Sequence, residues 1–141
     1  MELKYEVEGG NFIKAGNASS AVKKILKQLN VDQAIIKRVV VALYEAEVNV
    51  VAHAFSGVIT AKINAQRIAV VVEDNGPGIP DIDLAMQEGY TTASAEVRAM
   101  GFGAGMGLPN MKRNADELNI SSVVGKGTTV ELITDFSFQE G

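Results

Sequence analysis

The chain contains no cysteine and only one histidine. The missing thiols exclude disulfides and thiolate metal sites, and with a lone histidine they argue against a zinc centre. There is no excess of basic charge: 13 Lys and Arg stand against 17 Asp and Glu, for a net charge of -4. Little counterion release is then available to drive binding to a phosphate backbone, so nucleic acid is not expected as a direct partner. No run approaches the roughly 20 apolar residues that a membrane-crossing helix needs. The opening MELKYEVEGG is charged and alternating, unlike the apolar centre of a signal peptide. These features predict a cytoplasmic protein without a membrane partner. No linker, internal repeat or low-complexity tract divides the sequence, so residues 1–141 read as a single domain.

What is present is a globular composition, 47% hydrophobic and 21% charged. A chain of this length buries roughly 70% of its unfolded surface, enough for one sheet with helices packed on it. Residues 3 to 8 alternate apolar and charged and read as a strand. GNASSAVKKILKQLN reads as an amphipathic helix with Asn17 or Ser19 as its cap, and Val22, Ile25, Leu26 and Leu29 as its apolar face. Asp32 opens a long helix expected to end near Phe55-Ser56-Gly57. VITAKINA and RIAVVVED follow as strands joined by a tight hairpin at Asn64 to Arg67, the second apolar enough to lie centrally. DIDLAMQEG predicts a short helix, residues 89 to 107 a long loop, LPNMKRNADEL a helix with Pro109 in its first turn, and NISSVVGKGTTVELIT two strands around a glycine turn. The order β-α-α-β-β-loop-α-β-β predicts an α+β, two-layer α/β sandwich with helices on one face of the sheet.

Glu45, Asn49 and His53 recur every four residues in the long helix, otherwise rich in valine, alanine and isoleucine. Positions four apart share a helix face, so the three form one polar stripe. An unpartnered buried carboxylate or amide costs several kcal/mol, so either water bathes this stripe or something polar docks on it. Glu47 points roughly 200° away from Glu45 and is expected to face solvent or a partner.

Three glycine-bearing motifs follow. Asp74-Asn75-Gly76-Pro77-Gly78 ends the apolar strand. A carboxylate there can accept from an exocyclic amine while the glycines admit a flat ligand, although the same residues also make a plain β-turn. Gly101-Phe102-Gly103-Ala104-Gly105-Met106-Gly107 runs into a helix. Its N–H groups and the helix N-terminus could wrap an anion, or the segment could be a flexible linker. It is neither a Walker loop, lacking GK[ST], nor a Rossmann turn, lacking a preceding strand. Gly125-Lys126-Gly127-Thr128-Thr129 reads as a hairpin turn whose threonine hydroxyl could bridge by water to Asp74.

The order E-x-x-x-N, D-x-G-x-G, glycine-rich loop, GKGT resembles the GHKL (Bergerat-fold) ATP-binding superfamily of gyrase, histidine kinases and MutL, over about residues 10 to 134. Within it the sequence resembles bacterial anti-sigma-factor serine/threonine kinases and the switch kinases of the general stress pathway. EDNGPGIPDIDLAMQEGYTT and GMGLPNMKRNADELNISSVVGKGTTVEL carry that likeness. The resemblance implies a Bergerat fold with a mixed, mostly antiparallel sheet, and ATP and Mg²⁺ as cofactors. It implies Asn49 as the Mg²⁺ ligand and Glu45 as the general base. Asp74 would recognise the adenine amine, Thr128 would support it through water, and Gly76 and Gly78 would line the adenine pocket. Gly103, Gly105 and Gly107 would border the phosphates. Arg98 could neutralise phosphate charge or lie exposed, and His53 could touch phosphate or lid, or cap and pack. Lys112 and Arg113 read as solvated or partner-facing, outside the site.

The function implied is an ATP- and Mg-dependent protein serine/threonine kinase of the anti-sigma regulatory type, binding and phosphorylating a STAS-domain (anti-sigma antagonist) partner. The alternative is an ATP-binding regulatory module that sequesters a sigma factor or other signalling partner with little phosphotransfer. A detached histidine-kinase catalytic domain is disfavoured, because His53 lies inside the nucleotide helix. Homodimer formation is a further expectation from the resemblance.

Overall fold

In the structure, a computed structural model, residues 1–87 and 107–136 are described. Five strands and four helices appear among them, in the order β1 (Glu2–Glu8), α1 (Asn17–Gln28), α2 (Gln33–His53), β2 (Ser56–Ile63), β3 (Arg67–Asp74), α3 (Ile82–Ala85), α4 (Gly107–Asn114), β4 (Glu117–Val123) and β5 (Gly127–Asp135). The strands form one sheet in the order β1-β2-β3-β5-β4. All four ladders are antiparallel, so no parallel pair accompanies them among the described residues. The apolar strand β3 is central, as its valine run predicts.

One face of the sheet carries the core. Ile59, Ala61, Ile68, Val70, Val72, Val130 and Leu132 alternate inward with period two and are buried. Against them lies α2, flanked by α1 on one side and α4 on the other. With neighbours on three sides, α2 is apolar over most of its circumference; Leu43 is fully buried and Val50 nearly so. Each such side chain contributes roughly 1.5–3 kcal/mol of burial.

Element ends follow local chemistry. The turn after β2 closes because Asn64 Oδ1 accepts from the N–H groups of Gln66 at 2.8 Å and Arg67 at 2.9 Å. Helix α2 stops at His53, before the expected Phe55, because Ala54 is already extended and the Ser56 N–H is taken by Asn75 Oδ1 at 2.7 Å. Helix α4 is shorter than its sequence pattern. The Asn114 side chain turns back to the Asn110 carbonyl at 2.9 Å, and the Asp116 N–H joins the sheet at Ile133 O, 2.9 Å.

The expectations for Glu47 and for the α1 cap are both corrected by the same contact. Glu47 is only 2% exposed. Its carboxylate accepts from Ala18 N (3.1 Å), Ser19 N (3.1 Å) and Ser19 Oγ (2.7 Å). Gly16, in a left-handed conformation at φ 97, stands at the N-cap and offers no side chain. The free N–H groups that open α1 are therefore satisfied by a carboxylate from α2 rather than by Asn17 or Ser19.

Candidate functional site

The polar stripe of α2 faces the start of α4 and the end of β3. Glu45, Asn49 and His53 are each half-buried, whereas Ala46, Glu47, Val48 and Val50 between them are buried. The three stripe residues meet three different neighbours.

Asn49 meets Gly107. A Cβ added at Gly107 would lie 3.1 Å from Asn49 Oδ1 and 3.2 Å from its Nδ2, so glycine lets the first residue of α4 close on the amide. Glu45 meets Asn110, whose Nδ2 donates to Glu45 Oε1 at 3.2 Å. Arg113 Nη1 in turn donates to Asn110 Oδ1 at 3.3 Å. Buried Leu108 and Met111 seat the neighbouring face of α4. On the side of α2 away from α4, Glu45 also lines a groove of about 520 Å³ between α1 and α2, together with Lys23, Val40 and Tyr44. His53 stands close enough to Asp74 for their charges to interact. Burial pushes its imidazole below the ordinary value, and the Asp74 carboxylate opposes that shift.

Asp74 itself is held by the two turns around it. Its Oδ1 accepts from Gly76 N at 2.9 Å and Thr128 N at 3.1 Å. Among the described residues no hydrogen bond reaches its Oδ2. Gly76 is buried against Ala54 at the end of α2, where an added Cβ would lie 3.0 Å from the Ala54 Cβ. Gly78 has φ +81, and a Cβ there would press on Val123 O at 2.6 Å. The Pro77 carbonyl accepts from Gly125 N at 2.8 Å, so the turn after β3 is fastened to the β4–β5 turn. Gly127 has φ +150, and a Cβ there would overlap the Asp74 carbonyl oxygen. The Thr128 hydroxyl pairs with Ser122 Oγ at 2.8 Å, and Ser122 Oγ also accepts from Ile79 N at 2.7 Å.

The structure thus places Glu45, Asn49 and His53 along one face of α2, the first two against Asn110 and Gly107 of α4 and the third near Asp74, which is tied to Gly76 and Thr128; Gly78 belongs to the same turn as Gly76. Gly103, Gly105 and Arg98 lie outside the described residues. Thr128 reaches Asp74 through its backbone N–H, and its hydroxyl is shared with Ser122. Asn110 and Ser122 are residues that the sequence reading missed. Asn110 had a signal, standing one helical turn beyond Gly107. Ser122 had none, since only strand pairing brings it beside Thr128. Arg113, set aside as solvated or partner-facing, bonds to Asn110 and belongs to the margin of this cluster.

The donor set suits a nucleotide with its metal. An amide oxygen such as Asn49 Oδ1 is a hard ligand of the kind magnesium accepts, alongside waters and phosphate oxygens. No cluster of three or more His, Cys, Asp or Glu residues that could bind a metal unaided occurs among the described residues. Asp74 Oδ2 is an acceptor with no protein donor among them, at the start of the turn that Gly76 and Gly78 let pack against Ala54 and Val123. No helix among the described residues is long and apolar enough to cross a membrane.

Comparison with known proteins identifies the family and the fold. The family described as "Histidine kinase-like ATPase domain" matches residues 13–134. The chain is 36% identical over 118 residues to the serine/threonine-protein kinase RsbT of Bacillus subtilis (strain 168), covering 79% of this chain and 80% of that protein. It is 37% identical over 120 residues to an anti-sigma F factor of Thermoanaerobacter sp. (strain X514), covering 82% of this chain and 80% of that protein. Among solved structures, the RsbU and RsbW domains of a Mycobacterium tuberculosis protein superpose with a TM-score of 0.63 at 17% identity, over 95% of this chain and 32% of that one. The mycobacterial sensor histidine kinase MprB superposes with a TM-score of 0.54 at 13% identity, over 96% and 97% of the two chains. A family match over residues 13–134 and relatives at 36% and 37% identity place this chain in the histidine kinase-like ATPase domain family, with RsbT and the anti-sigma F factors among the proteins it is similar to.

Proposed function

We propose that this chain is an ATP- and Mg²⁺-dependent protein serine/threonine kinase that phosphorylates a STAS-domain regulatory partner in the cytoplasm. The observation that supports the reading is the polar stripe of α2, which meets α4 at Glu45 and Asn49 and comes near Asp74, at the end of β3, through His53. In this reading, Mg-ATP supplies the phosphoryl group and the charge neutralisation that phosphoryl transfer requires. Asp74 accepts the adenine amine through Oδ2, while Oδ1 stays bonded to Gly76 and Thr128. Gly76 and Gly78 line the base with backbone atoms while packing their own Cα atoms on Ala54 and Val123, and Thr128 keeps Asp74 in place. Asn49 offers its amide oxygen to the metal. Gly103, Gly105 and Gly107 border the phosphates, with Arg98 and His53 as further contacts. Glu45 takes the proton from the attacking serine or threonine hydroxyl, a contribution typically of 10²- to 10⁴-fold in rate. The groove beside Glu45 gives the acceptor side chain a route that does not pass the adenine turn.

The names of the relatives also favour a second reading, a module that sequesters a sigma factor with ATP tuning the contact. One experiment separates the two. The protein is mixed with ATP, Mg²⁺ and a purified STAS-domain partner. Phosphate on a partner serine or threonine, appearing about 10²- to 10⁴-fold more slowly in Glu45→Ala while ATP binding persists, supports the kinase. A stoichiometric complex without label supports the module.

A further inference from the structure

We propose that Asn110 is a positioning residue for Glu45: its amide holds one carboxylate oxygen, so the other faces the acceptor hydroxyl. The inference rests on the reading of Glu45 as general base. It starts from the way α4 passes α2. Gly107 touches Asn49, and three residues on, Asn110 bonds Glu45, which lies four residues before Asn49. Three residues of rise on one helix (about 4.5 Å) thus run against four on the other (about 6 Å), in the opposite direction. The G-x-x-N of α4 reads the E-x-x-x-N of α2 backwards.

The Asn110 amide has only one orientation that satisfies both neighbours. A guanidinium can only donate, so the Arg113 Nη1 contact at 3.3 Å requires the Asn110 oxygen on that side. The NH₂ group is then turned toward Glu45 Oε1, at 3.2 Å. The position of Asn110 is itself secured, because Leu108 and Met111 beside it are 6% and 0% exposed. A glutamate on a half-buried helix face otherwise samples several rotamers. Holding Oε1 removes that freedom and leaves Oε2 as the free base. The bond does no backbone work for α2, since Glu45 sits in mid-helix where the ladder is complete.

The test uses the full chain with ATP, Mg²⁺ and a STAS-domain substrate. Asn110→Ala and the isosteric Asn110→Asp should each lower kcat about 10- to 100-fold, the scale of a misplaced catalytic group. KM for ATP and the calorimetric ATP affinity should stay within about twofold. On a Glu45→Ala background the Asn110 changes should cost nothing further, because residues acting as a unit are not additive. In NMR spectra the Asn110 side-chain NH₂ signals should move on Glu45→Ala, and unmoved signals would overturn the contact. If both Asn110 variants transfer phosphate at the wild-type rate, or if their losses add to that of Glu45→Ala, the positioning role falls while the kinase reading stands. A wild-type chain that transfers no phosphate overturns the kinase reading and this role with it.

Discussion

Replacing Glu47 with alanine tests how this fold is held together. The change removes the carboxylate that accepts from Ala18 N, Ser19 N and Ser19 Oγ. The hydroxyl can rotate to another acceptor, but the two amides belong to the first turn of α1 and cannot. Each stranded buried donor costs about 1–3 kcal/mol, which gives roughly 2–6 kcal/mol for the pair. A cavity of about 800 Å³ lined in part by Ala18 and Glu47 lets water approach, so the lower part of that range applies. The expected loss is therefore about 2–4 kcal/mol, a large share of the roughly 5–15 kcal/mol a domain has. With a urea slope near 2 kcal/mol per molar, the unfolding midpoint followed by circular dichroism should drop by about 1–2 M. Glu47→Gln should lie between, because the amide keeps one acceptor oxygen and turns donors toward donors. A Glu47→Ala midpoint within about 0.3 M of the wild type would refute the reasoning and return Glu47 to the surface role its sequence suggests.

Glu45→Ala, two residues away, should do the opposite: stability should change by less than about 1 kcal/mol for one half-exposed hydrogen bond, and phosphotransfer should fall about 10²- to 10⁴-fold. Full transfer by that variant would remove Glu45 from its role. Asp74→Asn keeps an Oδ1 acceptor for Gly76 and Thr128 but replaces Oδ2 by a donor. It should remain folded yet bind ATP about 10- to 100-fold more weakly by calorimetry, and an unchanged affinity would defeat the adenine assignment. Gly127→Ala forces a Cβ onto the Asp74 carbonyl at φ +150, so both thermal stability and ATP affinity should fall; wild-type values for both would contradict the close approach. His53 is held below its ordinary value near 6.5, so the unfolded chain takes up its proton first. Its contribution to stability is complete above that value and shrinks as pH falls through it toward the folded value. Urea midpoints between about pH 7.5 and 5 should therefore decline less steeply in His53→Gln than in the wild type, and parallel slopes would exclude the effect.

The sequence was most informative where a residue's partner is near in the chain or where period fixes direction. The four-residue spacing of Glu45, Asn49 and His53 was enough to put them on one face, because helix geometry is local. The Asp-x-Gly-x-Gly turn announced itself through residues that tolerate unusual backbone angles, and Gly78 does adopt φ +81. The hairpin at Asn64 was legible for the same reason. The boundaries of α2 and α4 were less so, since Asn75 and Ile133, distant in sequence, take the backbone groups at which those helices give way.

Periodicity and composition were enough to read the α+β order, the central position of the valine-rich strand, and the polar stripe of α2. What each polar residue meets came from packing between distant segments. The two glutamates of YEAEVN look alike in the chain, yet one is sunk against the start of α1 and the other is held by an amide from α4. Their fates differ because helical rotation turns them to opposite sides of α2, and which neighbour waits on each side is set by packing across 28 residues in one case and 65 in the other. Ser122 and Thr128 likewise become partners only when β4 and β5 pair, since register is a property of the sheet and not of either strand.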